Sequence, residues 1–128
     1  MNNRVLIIDD DEEMCAELQE ILADEGCQVR VALDGRSGKE LMEKEQYRVV
    51  ILDLKLPGLN GYEVLRMTKS NPNSPRVIVL SGRPLGENKL HDRNVLQDEE
   101  EKILQLADAV MNKPVLIPVL IGKVKEYL

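Results

Sequence analysis

Two adjacent aspartates, Asp9 and Asp10, close the apolar run Val5-Leu6-Ile7-Ile8. A third, Asp53, closes Val49-Val50-Ile51-Leu52, Ser81 closes Val77-Ile78-Val79-Leu80, and Lys113-Pro114 stands late in the chain. Short apolar runs that end on a polar residue read as buried strands. In a parallel sheet every strand C-terminus opens onto one edge, so the three carboxylates converge there although 43 positions separate Asp10 from Asp53. Carboxylates placed together repel one another and stay ionised at neutral pH only beside a compensating cation. Oxygen ligands, two or three carboxylates and an open coordination sphere suit Mg²⁺. With the Lys113 ammonium and the Ser81 hydroxyl, the set is what phosphoryl transfer asks for: a nucleophile, a divalent ion on the phosphoryl oxygens, and an ammonium and a hydroxyl on the others. One strand-end Asp would say little, because that position commonly caps a helix. All of these residue types, at the ends of separate strands, carry the signal.

The elements that must position these residues alternate. Apolar runs of four or five residues are separated by stretches of helical period, the pattern of repeated strand-helix units around a parallel sheet. Strands are expected at residues 4–9, 29–32, 49–52, 76–80 and 109–111. The run at 49–52 is apolar at every position and reads as a central strand covered on both faces. The first helix carries Met14, Leu18, Ile21 and Leu22 on one stripe and closes at Gly26. A second spans residues 35–44 with Leu41 and Met42. After the turn residues Pro57-Gly58-Leu59-Asn60-Gly61, a third spans 62–69 with Val64 and Leu65 inward. Residues 71–75 form a loop, and residues 82–97, polar with scattered apolar positions, read as an irregular excursion. Asp98 is placed to cap a fourth helix whose first turn holds Glu99, Glu100 and Glu101 against the helix dipole, with Ile103, Leu104 and Ala107 inward. The last helix, 118–128, begins with Pro118 and buries Leu120, Ile121, Val124 and Leu128.

Composition bounds the function classes. With 128 residues the chain fits one domain, enough to bury roughly two thirds of the surface its unfolded form exposes. A net charge of −6 disfavours nucleic acid and anionic membrane surfaces, which are bound through clustered Lys and Arg. Met1-Asn2-Asn3-Arg4 leads straight into the first apolar run, so no secretory leader is expected, and no apolar stretch is long enough to span a bilayer. Cys15 and Cys27 stand in no ligand-spaced motif and read as reduced, partly buried thiols of a cytoplasmic protein. His91, the single histidine, lies in a polar stretch without a partner carboxylate at helical spacing, so neither catalysis nor metal binding is assigned to it.

The order and wording of the motifs resemble the receiver domains of two-component response regulators. The likeness rests on Val5-Leu6-Ile7-Ile8-Asp9-Asp10-Asp11-Glu12, on Val50-Ile51-Leu52-Asp53-Leu54-Lys55-Leu56-Pro57-Gly58-Leu59-Asn60-Gly61, on Val77-Ile78-Val79-Leu80-Ser81-Gly82 and on Lys113-Pro114. It covers nearly the whole chain. It implies an α/β fold, a doubly wound, flavodoxin-like sheet of five parallel strands in the order 2-1-3-4-5, with the three aspartates at the switch point between strands one and three. It implies Asp53 as the phosphoacceptor, taking a phosphoryl group from a phosphohistidine of a sensor histidine kinase or a histidine phosphotransfer protein. Asp10, Asp53 and the backbone carbonyl of Lys55 would then bind Mg²⁺ directly, and Asp9 through water. Ser81 would hydrogen-bond the new phosphoryl group, and Lys113 would pair with it, aimed by a cis peptide before Pro114. Such a chain is a signalling module that catalyses only its own phosphorylation and dephosphorylation.

Two features depart from the family pattern. Val110 stands three positions before Lys113, where the family usually has an aromatic ring that swings inward on activation. Ser81 and Lys113 are 32 positions apart, more than is usual, and the excess falls in 82–97. The whole chain, residues 1–128, is therefore read as one receiver domain with an extended segment at 82–97, and as a stand-alone one because no output domain follows Leu128. Lys55 and Arg83, each two positions beyond a pocket residue, flank the route by which water reaches the acyl phosphate in receivers and are assigned to its lifetime. The alternatives are a haloacid-dehalogenase-like phosphatase, in which Asp9 and Asp11 would form an Asp-x-Asp pair, and a degenerate receiver serving only as an interaction module. The first leaves Asp53 without a task; the second is at odds with the intact set Asp9, Asp10, Asp53, Ser81 and Lys113.

Overall fold

A computed structural model describes residues 2–82 and 95–128, the backbone alone at 95–98. Strands and helices alternate throughout: β1 Arg4–Ile8, α1 Glu12–Asp24, β2 Gln28–Ala32, α2 Gly35–Lys44, β3 Val49–Asp53, α3 Gly61–Lys69, β4 Arg76–Ser81, α4 Val95–Leu104, β5 Ala109–Asn112 and α5 Ile117–Tyr127. The strands form one sheet in the order β2-β1-β3-β4-β5, every pairing parallel. This is the doubly wound arrangement that the sequence implied. Its order reverses between β1 and β3, where Val5 pairs with Val49 and Ile8 with Leu52.

Side-chain alternation divides the core into two layers. Val5, Ile7, Val49, Ile51, Ile78 and Leu80 face Cys15, Leu18 and Leu22 of α1 and Leu120, Ile121 and Val124 of α5. Leu6, Ile8, Val50, Leu52, Val77 and Val79 face Val64 and Leu65 of α3, with Leu41 and Met42 of α2 packed at the margin. All five residues of β3 are buried, as a strand covered on both faces must be. Each fully buried Leu or Ile in these layers contributes about 1.5–3 kcal/mol.

The ends of the elements carry local signals. Asp11 caps α1, its side chain accepting from the Met14 amide. The same helix stops where Gly26 takes φ 92°, the Gly26 amide bonding to Ala23 O and the Cys27 amide to Leu22 O. Asp34 caps α2 through Ser37, and Asn60 caps α3 through Tyr62.

The structure corrects the sequence at several points. α4 begins at Val95, so Asp98 lies inside the helix rather than at its cap, and residues 95–97 belong to the helix rather than to the expected excursion. Leu96 and Gln97 are good helix formers, and their propensity carries the helix past the polar residue that a capping rule favours. Ala107 falls in the turn after α4, and Ile103 and Leu104 are only partly buried. On α1 the centre of the buried stripe is Cys15, Leu18 and Leu22, with Met14 and Ile21 at its edge. Leu128 follows α5 and is partly buried. Among the described residues no helix is long and apolar enough to cross a membrane.

Candidate functional site

The C-terminal edge of the sheet brings the acidic residues together. Asp9 follows directly on β1, and its amide extends the ladder to Ala32 O at 3.0 Å. Its carboxylate is wholly buried. Oδ1 accepts from the Asp11 amide at 3.0 Å, which turns the chain sharply into α1 and leaves Asp10 exposed beside the pocket. Asp53 is the last residue of β3, 4% exposed, and its Oδ1 accepts from the Lys55 amide at 3.1 Å. One ligand atom from each of Asp9, Asp10 and Asp53 lies within 4.8 Å of the others.

Lys113 enters this cluster from the opposite side. Its amide donates to Ser81 O at 2.7 Å, tying the end of β5 to the end of β4, and the peptide to Pro114 is cis. Nζ lies 3.0 Å from Asp9 Oδ2 and donates to Asp53 Oδ2 at 3.3 Å. The contact with Asp9 is ionic rather than hydrogen-bonded in direction, so among the described residues Asp9 Oδ2 is a buried oxygen without a hydrogen-bond partner. Ser81 ends β4 opposite Asn112, buried on the same edge.

Among the described residues three carboxylates face one ammonium, and the electrostatics record the imbalance. Burial pushes the Asp9 carboxyl above its ordinary range, with the nearby Asp53 charge adding to it; the Asp11 amide and Lys113 oppose the rise without cancelling it. Burial works against the charged Lys113 amine, but the Asp9 and Asp53 carboxylates outweigh it and hold the amine above its usual value. Cys15, whose Sγ donates to Asp9 O at 3.4 Å, is pushed up to about 12, first by burial and then by the Asp9 and Asp11 charges. Its thiol is inert at neutral pH. An all-oxygen donor set, an excess of negative charge and a buried oxygen lacking a hydrogen bond fit a small hard cation such as Mg²⁺.

The structure thus gathers Asp9, Asp10, Asp53, Ser81 and Lys113 on one sheet edge. Lys55 stands beside them, exposed, with its amide on Asp53. Val110 lies in β5, paired with Val79 and partly buried against the layer that holds Ile103, Leu104 and Ala107. Arg83, His91 and most of the 82–97 segment lie outside the described residues. Asp11, which a dehalogenase-type pair would need in the pocket, spends its side chain on the α1 cap. That role was legible as an Asp before Glu12-Glu13, a helix-start pattern. Nothing in the sequence pointed to Cys15 as the donor beneath Asp9. Both cysteines are buried and unlinked.

Comparison with known proteins agrees with this geometry. Residues 5–95 match the model of the response regulator receiver domain. The chain belongs to that family. It is 28% identical over 131 residues to the regulatory protein VanRB of Enterococcus faecalis, an alignment covering 100% of this chain and 53% of the relative. It is 35% identical over 81 residues to sporulation initiation phosphotransferase F of Bacillus subtilis, covering 63% of this chain and 65% of that protein. The chain therefore spans about half the length of VanRB. Among solved structures, response regulator TrrA of Thermotoga maritima, in complex with Mg²⁺ and BeF, superposes with a TM-score of 0.77 at 26% identity, covering 100% of both chains. Family and fold define a signalling module.

Proposed function

We infer that the chain accepts a phosphoryl group on Asp53 from a phosphohistidine of a sensor histidine kinase or a histidine phosphotransfer protein, in a Mg²⁺-dependent reaction. A carboxylate oxygen of Asp53 bonds to phosphorus as the P–N bond breaks, the electron pair of that bond returning to the imidazole; the product is an aspartyl phosphate. The observation that carries this reading is the Lys113 ammonium held 3.0 Å from Asp9 and 3.3 Å from Asp53, with Asp10 at the same mouth. Asp9, Asp10, Asp53 and the Lys55 carbonyl would hold the metal, which supplies charge neutralisation for the phosphoryl oxygens. Lys113 compensates the remaining charge, and the Ser81 hydroxyl is the hydrogen-bond donor to the transferred group. The Mg²⁺ in the TrrA complex and the phosphotransferase named among the relatives support the same chemistry. The receiver unit is taken to extend over residues 1–128, because Lys113 lies beyond the matched stretch. We place it in the cytoplasm, acting on protein partners rather than on nucleic acid or membrane.

Incubation with acetyl phosphate and Mg²⁺ tests the reading. Intact mass should show one phosphoryl addition, dependent on Mg²⁺ and abolished by Asp53→Asn. Label on Asp9 or Asp11 instead would overturn it.

A further inference from the structure

We propose that Gly35, on α2 and outside the acidic cluster, is a positioning residue for the loop that follows the phosphoacceptor. The proposal rests on the reading of Asp53 and of the Lys55 carbonyl given above. The loop, residues 54–60, is gripped at three places. At its start the Lys55 amide donates to Asp53 Oδ1, and the Leu54 amide donates to Leu80 O at 3.2 Å. Behind it, a Cβ built on Gly61 would lie 2.5 Å from Leu54 O and 2.6 Å from Asp53 O, so the start of α3 sits directly on the backbone of the strand end. Towards its far end, Gly58 adopts φ 76°, a bend that L side chains resist, and brings Leu59 back across the top of α2. There Leu59 meets Gly35: a Cβ on Gly35 would lie 2.5 Å from Leu59 O and 2.9 Å from Leu59 Cβ.

Gly35 has no backbone reason to be glycine. Its φ is outside the left-handed region, it occupies the first position of a helix already capped by Asp34, and glycine within a helix costs about 1 kcal/mol against alanine. What the position requires is space. Ordinary van der Waals contact begins at 3.4 Å, so an added methyl must displace the Leu59 carbonyl or α2 by about 0.9 Å, and displacements near 1 Å in positioning groups cost up to about a hundredfold in rate. The contact point is backbone and cannot swing aside as a side chain does. Gly38, one turn along the same helix, makes the contrast: its added Cβ would meet the Ile8 side chain, 2.5 Å from Cδ1 and 2.9 Å from Cγ1, in the core layer rather than on the backbone of the loop.

The test compares Gly35→Ala with Gly38→Ala by amide NMR of the full chain, first without metal and then through a Mg²⁺ titration. In Gly35→Ala the Lys55 amide should shift and exchange faster without metal, and the dissociation constant for Mg²⁺ should rise about tenfold, as for outer contacts that orient a ligand. Gly38→Ala should leave the Lys55 amide in place and the constant within about twofold. An unchanged Lys55 amide and Mg²⁺ affinity in Gly35→Ala, or equal changes in both variants, would overturn the proposal. Should Gly35→Ala fail to fold, Leu59→Gly loosens the same contact from the loop side; it should move the Lys55 amide in the same way, and an unmoved amide there counts equally against the idea. Failure of the phosphoacceptor reading would appear elsewhere, in wild type that binds no Mg²⁺ or carries label on another residue, while the metal-free Lys55 amide still decides the role of Gly35.

Discussion

At the scale of single residues, Lys55 carries two separate tasks. Its amide holds Oδ1 of Asp53, the proposed phosphoacceptor, against the strand end, whereas its side chain is exposed. A long cation in that place can occupy the in-line path to the acyl phosphate and pair with phosphoryl oxygens while offering the water no base. The aspartyl phosphate should therefore decay slowly. Lys55→Asn keeps the amide and shortens the side chain, and it should accelerate decay by about threefold to tenfold, equivalent to roughly 1 kcal/mol of barrier. Following loss of label from Asp53 in wild type, Lys55→Asn and Arg83→Glu measures this directly. Equal half-lives in all three would remove the shielding role and leave phosphorylation on Asp53 untouched.

Elements are held in register by residues with no part in the chemistry, and Asp108 shows how. It sits in the turn before β5 with its side chain only 14% exposed. Oδ2 accepts from the Val77 amide at 2.7 Å and from Lys69 Nζ at 3.0 Å, Oδ1 pairs with Arg76 at 3.1 Å, and its carbonyl accepts from Tyr127. The carboxylate thus joins the end of α3 to the start of β4, and the backbone carbonyl of the same residue adds the end of α5. Burial alone would raise its pKa, but the Val77 amide, Lys69 and Arg76 outweigh burial and lower it. A folded value below the unfolded one gives stability that is complete above the ordinary carboxylate value of about 3.9 and is lost as pH falls through the folded value. Asp108→Asn should cost about 1–3 kcal/mol at neutral pH, and the gap in urea midpoint between variant and wild type should close below about pH 4. A gap that stays constant into acid would show that the charge contributes nothing. None of this was legible in the sequence, because Asp108 follows no motif and its partners lie 31 to 39 positions before it and 19 after it. The strands, by contrast, were legible almost to the residue, since apolar runs ending in a polar group mark both faces of a central strand at once. The start of α4 was misplaced because helix propensity and capping preference competed there and propensity prevailed.

At the scale of the whole molecule, the same sheet edge that makes the site costs the fold stability. The strand residues that build the core layers, 5–8, 49–52 and 77–80, are all apolar and buried; just beyond them, among the described residues, three carboxylates meet one ammonium. That boundary was legible, since charge after an apolar run is visible in sequence, whereas the glycine contacts that seat the loop are steric facts between distant segments and leave no local pattern. Repulsion among the carboxylates opposes folding when no cation is present, and sites built for function commonly carry such a cost. Mg²⁺ binding the folded state should therefore stabilise it by RT ln(1 + [Mg²⁺]/Kd), about 2.7 kcal/mol at a hundredfold excess over Kd. Asp53→Asn keeps an oxygen for the Lys55 amide and leaves Lys113 paired with Asp9, yet removes one of the repelling charges. Without metal it should unfold at a higher temperature than wild type, by an amount equivalent to about 0.5–2 kcal/mol, and its midpoint should respond weakly to Mg²⁺. Thermal unfolding of both proteins across a Mg²⁺ series, at constant ionic strength, gives the two quantities together. A variant less stable than wild type in the absence of metal would mean that Lys113 compensates the cluster fully, and the conflict between site and fold assigned here would be wrong.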